Sequence, residues 1–331
     1  MANNGALWQE RIQVGKEVTA GTGVAATRIG YLETVSINKS RSNRTHRFKT
    51  GRRDNQMAVT QGPTQAAGQV KLPVHPNELL EWLAITFGDG VITTPGGGTL
   101  SRTHTYKPGT PASMTLERND GSRVYRGLGI RGAGMSIDGS VDGDSSATFD
   151  LFGTDVDTAF TTLTPALADR NPPFLEGWQT NIYLDALGAT PGTTKITDMM
   201  TDWSVKLANN MSRIYAAGNT QAALATIPGE LDLSADLTFL AESAGTATEI
   251  TNWQAGTPKL LRLEFIGATA IETTIFPRVT VDIPGYWGDV DRNKEAFGAV
   301  RSYGFPMDYI YDSTLANGIV VACTTNRLTA F

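Results

Sequence analysis

The sequence predicts a mainly β protein of two tandem β-sandwich or half-barrel domains, each with one short helix, and three observations point there. Glycine is abundant, at 35 of 331 residues, as chains with many tight turns require. Segments of period 2 recur, the clearest being GMSIDGSVDGDSSATFDLFG (134–153), where small or apolar residues occupy every odd position from Met135 to Leu151. One order of elements (strand, loop, strand, helix, strand, hairpin) can be read twice along the chain.

A chain of 331 residues, 40% of them hydrophobic, has length for two ordinary domains and enough apolar surface for a core in each. No apolar run reaches the roughly 18 residues of a membrane span, and MANNGALWQERIQVG has no charged-then-apolar signal pattern, so neither a membrane partner nor export by a signal peptide is expected. The single Cys323 forms no intrachain disulfide, which suits assembly in a reducing cytoplasm.

Taken in order, residues 1–30 contain VGKEVTAGTGVAATRIG, glycine-rich and without a sustained apolar period, and read as an extended N-terminal arm rather than a core element. A first domain is expected over 31–168. Val35 and Ile37 start a strand, a polar loop runs to Gly62, and Val70, Leu72 and Val74 mark the return strand. Asn77–Phe87 reads as a helix with Leu79, Leu80, Leu83 and Phe87 on one face and Gly88 to end it. SMTLERNDGSRVYRG is a strand pair turning at Asp120-Gly121. The 134–153 hairpin follows; its unbroken phase requires an odd-numbered loop, read as Asp142 to Asp144.

After a connector at 169–177, broken by Pro172-Pro173, a second domain is expected over 178–331, closing in a C-terminal strand or arm. Trp203, Val205 and Leu207 are in phase, and so are Leu231, Leu233, Ala235, Leu237 and Phe239. TATEITNWQAG is the helix, KLLRLEF the next strand, and PRVTVDIPG with GAVRSYGFPMDYIYD a second long hairpin.

Chemistry-bearing motifs fail on context. GLGIRG (Gly127, Gly129, Gly132) spells a dinucleotide-binding turn, but a strand-period run follows where a helix N-terminus is needed for the pyrophosphate, so the glycines read as points of close strand approach. DGSVDGD begins like a calcium loop at Asp138, Ser140, Asp142 and Asp144, yet its twelfth position is Phe149 and no helices flank it. His46, His75 and His104 are far apart without cysteine nearby, and read as loop or surface residues. No GxSxG elbow occurs. No enzyme, cofactor or metal is expected.

Charge is unevenly placed. Residues 39–53 carry seven cations (Lys39, Arg41, Arg44, Arg47, Lys49, Arg52, Arg53) and no carboxylate; with the whole chain at −5, the remainder carries −12. From Gly132 to Asp169 there are seven Asp and no Lys or Arg. The basic segment can dock on the acidic region of a neighbouring copy, bind nucleic acid, or stay a solvated loop. The even face of the 134–153 hairpin is Ser136, Asp138, Ser140, Asp142, Asp144, Ser146, Thr148 and Asp150: short, polar and acidic.

Arm, long-looped hairpin, helix and second hairpin, in that order, resemble the tail tube proteins (major tail proteins) of long-tailed, siphovirus-like bacteriophages, with the tube domain duplicated. The resemblance implies that the long hairpins join a ring-wide β-barrel and that rings stack into a tube through which the genome leaves the capsid. It implies virion location after assembly in the host cytoplasm, and as partners the chain itself, other tail proteins (tape measure, terminator, distal tail) and double-stranded DNA passing without specific binding. The even face of 136–150 would line the lumen, the seven cations of 39–53 would contact the next ring, and three chains would form a pseudo-hexameric ring. The competing expectation is a calcium-dependent β-sandwich module for carbohydrate or a receptor, with calcium on Asp142 and Asp144.

Overall fold

The computed structural model describes residues 10–49, 56–165, 167–168, 175, 177–197, 200–217, 223–272, 274–292, 294 and 300–329. The first part of the chain contains β1 (Arg11–Lys16), β2 (Arg28–Ile29), β3 (Thr34–Arg47), β4 (Gln56–Pro73), α1 (Pro76–Phe87), β5 (Val91–Thr93), β6 (Arg102–Tyr106), β7 (Met114–Asn119), β8 (Val124–Ser140), β9 (Ser146–Gly153) and β10 (Asp155–Asp157). The second contains β11 (Thr180–Ala186), β12 (Lys195–Ile196), β13 (Met200–Ala208), β14 (Ser212–Ile214), β15 (Ala225–Ile227), β16 (Asp232–Leu240), α2 (Ala244–Gln254), β17 (Lys259–Ile266), β18 (Arg278–Trp287), β19 (Ser302–Tyr309) and β20 (Val320–Thr325). The fold is mainly β, as the period-2 segments predict, and every pairing is antiparallel.

One set of pairings occurs in both parts. β1 lies between β2 and β7, β7 pairs β8, and the first half of β8 pairs β10. In the second part β11 lies between β12 and β17, β17 pairs β18, and the first half of β18 pairs β20. Likewise the series β3–β4–β9–β8 is matched by β13–β16–β19–β18. Each part adds one pair of its own, β5–β6 in the first and β14–β15 in the second.

The core is one cluster running through both parts. α1 starts on His75, whose Nδ1 accepts the Asn77 N–H at 3.2 Å, with Pro76 in the first turn. It ends at Gly88, whose φ of 110° admits glycine and whose N–H returns to the Ala84 carbonyl. The apolar stripe at Leu79, Leu80, Leu83 and Phe87 is present, but Trp82, Ala84 and Ile85 on the other side are buried too. β8 covers one side of the helix, while β6 and β20 cover another. Its acids are therefore enclosed, and Glu81 meets Arg327 at 2.7 Å. α2 is capped by Ser243 and buries only part of its surface; Glu249 accepts the Trp287 indole N–H at 2.8 Å.

Four sequence expectations need correction. Residues 11–16 of the expected arm are a paired strand with Ile12, Gln13 and Val14 buried. The short RIQVG alternation is their signal, and Gly15 lets the chain cross closely, since a Cβ there would lie 2.6 Å from the Ala25 carbonyl oxygen. The polar loop to Gly62 is largely strand: β3 continues to Arg47 and β4 begins at Gln56, because backbone pairing carries the hairpin past the core without any apolar phase. In the 134–153 hairpin Ser136 pairs Thr148 and Ile137 pairs Ala147, which keeps even opposite even but centres the turn on Asp142 rather than Gly143. Finally, His75 and His104 are buried; His75 caps α1, and Nε2 of His104 meets the Arg327 carbonyl at 2.9 Å. The connector 169–177 falls largely outside the described residues.

Candidate functional site

β3, β4, β9, β8, β13, β16, β19 and β18 form one continuous eight-strand series that crosses from the first part to the second at the β8–β13 seam. One face of it is core: Ile37, Val70, Phe149, Ile137, Val205, Leu237 and Phe305 are all buried. Because side chains alternate, their sequence neighbours must form the opposite face. Following partners across the ladder gives its rows. One runs Thr34, Lys71, Thr148, Ser136, Lys206, Ser234, Asp308, Tyr286, through all eight strands. A second runs Ser36, Gln69, Asp150, Gly134, Ala208, Asp232. A third runs Pro73, Ser146, Asp138, Ser204, Asp236, Pro306, and a fourth Ser140, Asp202, Thr238, Gly304.

The face is thus paved with short polar side chains, with aspartate (Asp138, Asp150, Asp202, Asp232, Asp236, Asp308) outnumbering lysine (Lys71, Lys206). Local hydrogen bonds hold the acids down. Asp138 accepts the hydroxyls of Ser136 at 2.7 Å and Ser204 at 2.5 Å, the latter across the β8–β13 seam, and Asp150 accepts the Gln69 amide at 3.0 Å. Carboxylates held in this way keep a fixed place on the face.

The two ends of this sheet differ. β9 pairs only Ala66–Pro73 of β4, so the rest of the β3–β4 hairpin runs past β9 as a two-stranded ribbon, and residues 38–49 on it are exposed. Its root is clamped by the β13–β16 loop. Arg213 stacks 3.6 Å from the Phe152 ring centroid and donates to the Gly153 carbonyl at 3.3 Å, while the Tyr215 hydroxyl donates to the Thr64 carbonyl at 3.2 Å. At the opposite end lies the β8–β9 turn with Asp142 and Asp144 exposed; the Ser140 hydroxyl donates to Asp142 at 2.9 Å.

Of the residues the sequence singles out, Ser136, Asp138, Ser140, Ser146, Thr148 and Asp150 come together on the polar face, and Asp142 and Asp144 sit in its turn. Of the seven cations, Lys39 is held by its own chain, at 2.7 Å from Asp155 and 3.2 Å from the Val156 carbonyl, and Arg41 donates to Gln61 at 2.5 Å. Arg44, Arg47 and Lys49 are exposed on the ribbon, and Arg52 and Arg53 lie outside the described residues. Sequence reasoning missed Asp202, Ser204, Asp232, Asp236 and Asp308. The signal of the first four was present in DWSVKLA and DLSADLTF, and that of Asp308 in GFPMDY, as the polar positions between the apolar ones. The glycines of GLGIRG lie in β8, and a Cβ on Gly132 would sit 2.2 Å from the Thr86 hydroxyl oxygen, so they serve close packing. Among the described residues no three His, Cys, Asp or Glu side chains are grouped to hold a metal, and no helix is long and apolar enough to cross a membrane.

A second seam joins the parts behind the wall. β6 pairs β20, and Glu272 accepts the backbone N–H groups of Thr99, Leu100 and Ser101, together with the Thr99 hydroxyl. Bonds from Ser101 and Thr99 hold this carboxyl at about 2, below its ordinary 4.5. A depressed pKa contributes stability above the unfolded value that is lost as pH falls through the folded one. Acidification from about pH 4.5 to about pH 2 is therefore expected to release Thr99–Ser101, seen as faster amide exchange there, with Glu272→Gln already fast at neutral pH. Unchanged exchange at those amides in Glu272→Gln would remove this clasp.

A continuous polar wall on a shared core, with β3 and β18 at its margins, defines a mainly β protein built around one extended sheet. The chain belongs to the phage tail tube protein family, whose model matches residues 8–299. It is a structural subunit of the tail tube of a virion and assembles with further copies of itself. No curated protein matches it.

Proposed function

We propose that three copies close into a ring with the polar face inward, and that the rings stack into a conduit through which double-stranded DNA is ejected. The observation that carries this is the eight-strand series with one buried and one short, acidic face. A conduit needs a wall that does not hold phosphate, and aspartate beside serine and threonine supplies it without narrowing the bore. Screening confines the repulsion to about 8 Å at physiological salt, so it lubricates near the wall. The matched pairings support an internal duplication, with a first tube domain that takes in the strand at 11–16 and runs to 168, a second over 178–331 and a connector between them, each chain giving two unlike sixths. The protein acts without catalysis. Lumen-facing side chains are Ser136, Asp138, Ser140, Asp142, Asp144, Ser146, Thr148 and Asp150, joined by Asp202, Ser204, Asp232, Asp236 and Asp308. The basic ribbon and the acidic turn stand at opposite ends of the sheet, which supports head-to-tail stacking with Arg44, Arg47, Lys49, Arg52 and Arg53 towards the next ring. Tape measure, terminator and distal tail proteins are the partners at the tube's interior and ends, and assembly takes place in the host cytoplasm.

Strand spacing supports three chains per ring. Strands about 4.8 Å apart and tilted about 40° each take about 6.3 Å of circumference. Three chains give roughly 24 strands and a backbone diameter of about 48 Å, leaving about 38 Å after short side chains, whereas six chains give about 96 Å, far wider than one duplex needs. Electron microscopy of the purified protein is expected to show hollow tubes, and averaged cross-sections or native mass spectrometry three chains per ring. Dispersed globules would overturn the tube, and six chains per ring would mean that only half of each chain builds the wall.

A further inference from the structure

The two parts treat the far ends of their matched hairpins differently. In the first, β3 and β4 stay paired beyond the core as far as Arg47 and Gln56 and form the basic ribbon. In the second, the β13–β16 ladder stops at Ala208 and Asp232, and the chain turns aside at two asparagines. Asn209 is tied to the sheet by its N–H, which donates to the Ala133 carbonyl at 2.7 Å, and by its amide, which donates to the carbonyls of Thr86 at 2.8 Å and Gly132 at 2.9 Å. Asn210 has a left-handed φ of 44°, which asparagine tolerates better than most residues, and its amide donates to the Glu230 carbonyl at 2.9 Å. The chain leaving this turn pairs with itself as β14–β15 and reaches β8, β9 and β4. Arg131 of β8 donates to the Thr226 carbonyl at 2.5 Å. Arg213 covers the Phe152 ring of β9 and donates to the Gly153 and Ala66 carbonyls, and the Tyr215 hydroxyl donates to the Thr64 carbonyl of β4.

These last contacts meet the ribbon just before it bends. Arg41 pairs Thr64 but Asn43 pairs Gln61, so Gly62 and Pro63 stand opposite Ser42 alone. A bulge of this kind bends a strand pair and interrupts its ladder. Here Pro63 has no N–H to give, and Gly62 passes so close that a Cβ would lie 2.4 Å from the Ser42 hydroxyl oxygen. Tyr215 and Ala216 face the bulge across a groove of about 290 Å³ lined also by Arg44, Gly62 and Pro63. On the other strand, Lys39 is held by Asp155 and the Val156 carbonyl. Both strands are thus fixed up to the bend. Beyond it the ribbon has two strands alone among the described residues, and a two-stranded hairpin by itself is marginal.

We propose that β14–β15 is the second part's ribbon folded sideways into a brace, and that Arg213 and Tyr215 are positioning residues that aim the basic ribbon at the next ring. The proposal rests on the reading above that the ribbon meets that ring. Holding the bend in the free subunit removes part of the ordering that stacking would otherwise require, so the contact forms at lower concentration. The two sixths of a chain then differ in use: one projects a ribbon and the other supports it, and a ring of three chains offers three ribbons to its neighbour.

The test uses the full-length protein. Thr45→Cys on the ribbon and Ala159→Cys on the body, both at exposed positions, carry spin labels for a distance measurement in the free subunit. Cys323 takes no label, because it is fully buried and burial raises its thiol pKa. One narrow distance is expected with Arg213 and Tyr215 in place. Arg213→Ala and Tyr215→Phe together should at least double its spread and raise the concentration needed for tube formation at least about tenfold, with melting within about 4 °C of the unmodified protein. Tyr215→Phe alone, which removes one hydroxyl and leaves the ring, should move both readings in the same direction by less. An unchanged distance distribution in the double variant overturns the brace. A widened distribution with tube formation at the ordinary concentration overturns the aiming role. The combination Arg44→Glu, Arg47→Glu and Lys49→Glu tests the underlying reading separately: tubes formed by it as readily as by the unmodified protein would take the ribbon out of the ring contact, and the aiming role with it.

Discussion

Replacing Asp150, Asp232 and Asp308 together with lysine is expected to turn the wall from one that passes DNA into one that retains it. All three are exposed and sit on two neighbouring rows of the polar face. Among the described residues Asp150 accepts only from the exposed Gln69, Asp232 only from the exposed Asn210 and Asp308 from no side chain, so stability should change by at most about 0.5 kcal/mol per site. Each exchange moves the local charge by two, and each phosphate then neutralised adds roughly 0.9 to the slope of log affinity against log salt. Tubes of the variant should bind a short fluorescent duplex in a steeply salt-dependent way, and particles built from it should release DNA more slowly, while unmodified tubes do neither. Equal DNA retention by variant and unmodified tubes would put this face outside the conduit.

How much of this was legible depends on whether a strand's signal lies in side chains or in backbone. Met135 to Leu151 could be read because one face is buried, so alternation is enforced at each step and register is fixed by it. The same holds for Trp203, Val205 and Leu207, and for Leu233 to Phe239. β3 beyond Asn38 could not be read, since Lys39 to Arg47 are exposed on both faces and only main-chain hydrogen bonds keep them paired. β1 was hidden by Gly15 and by the glycines after it, which look like a linker but permit a tight crossing. β10 and β20, which occupy matching places in the two parts, are short or lie late in the chain without a hairpin turn to announce them. The acids of the second part were in view as residues but not as a surface. Only the β8–β13 register puts Ser204 beside Asp138 and continues one wall through both parts.

The most severe single loss of stability is expected behind the wall, at Phe149. Its side chain is fully buried, with its ring centroid 6.2 Å from that of Trp82 on α1, so it joins β9 to the helix that both parts cover. Truncation to alanine removes the aromatic contacts and leaves a cavity that a helix enclosed on several sides cannot collapse to fill, a combination that costs about 3–5 kcal/mol. Thr148, one residue away, points to the polar face, and its replacement by alanine should cost no more than about 0.5 kcal/mol. Thermal or denaturant unfolding of the two variants measures the contrast: Phe149→Ala should melt roughly 5–10 °C lower, and Thr148→Ala close to the unmodified protein. The pair tests the division of faces itself, because a one-residue slip of β9 would exchange the two outcomes. Comparable losses at both positions would mean that the polar face is packed against something other than solvent, and the eight-strand wall could not then serve as the surface of a bore.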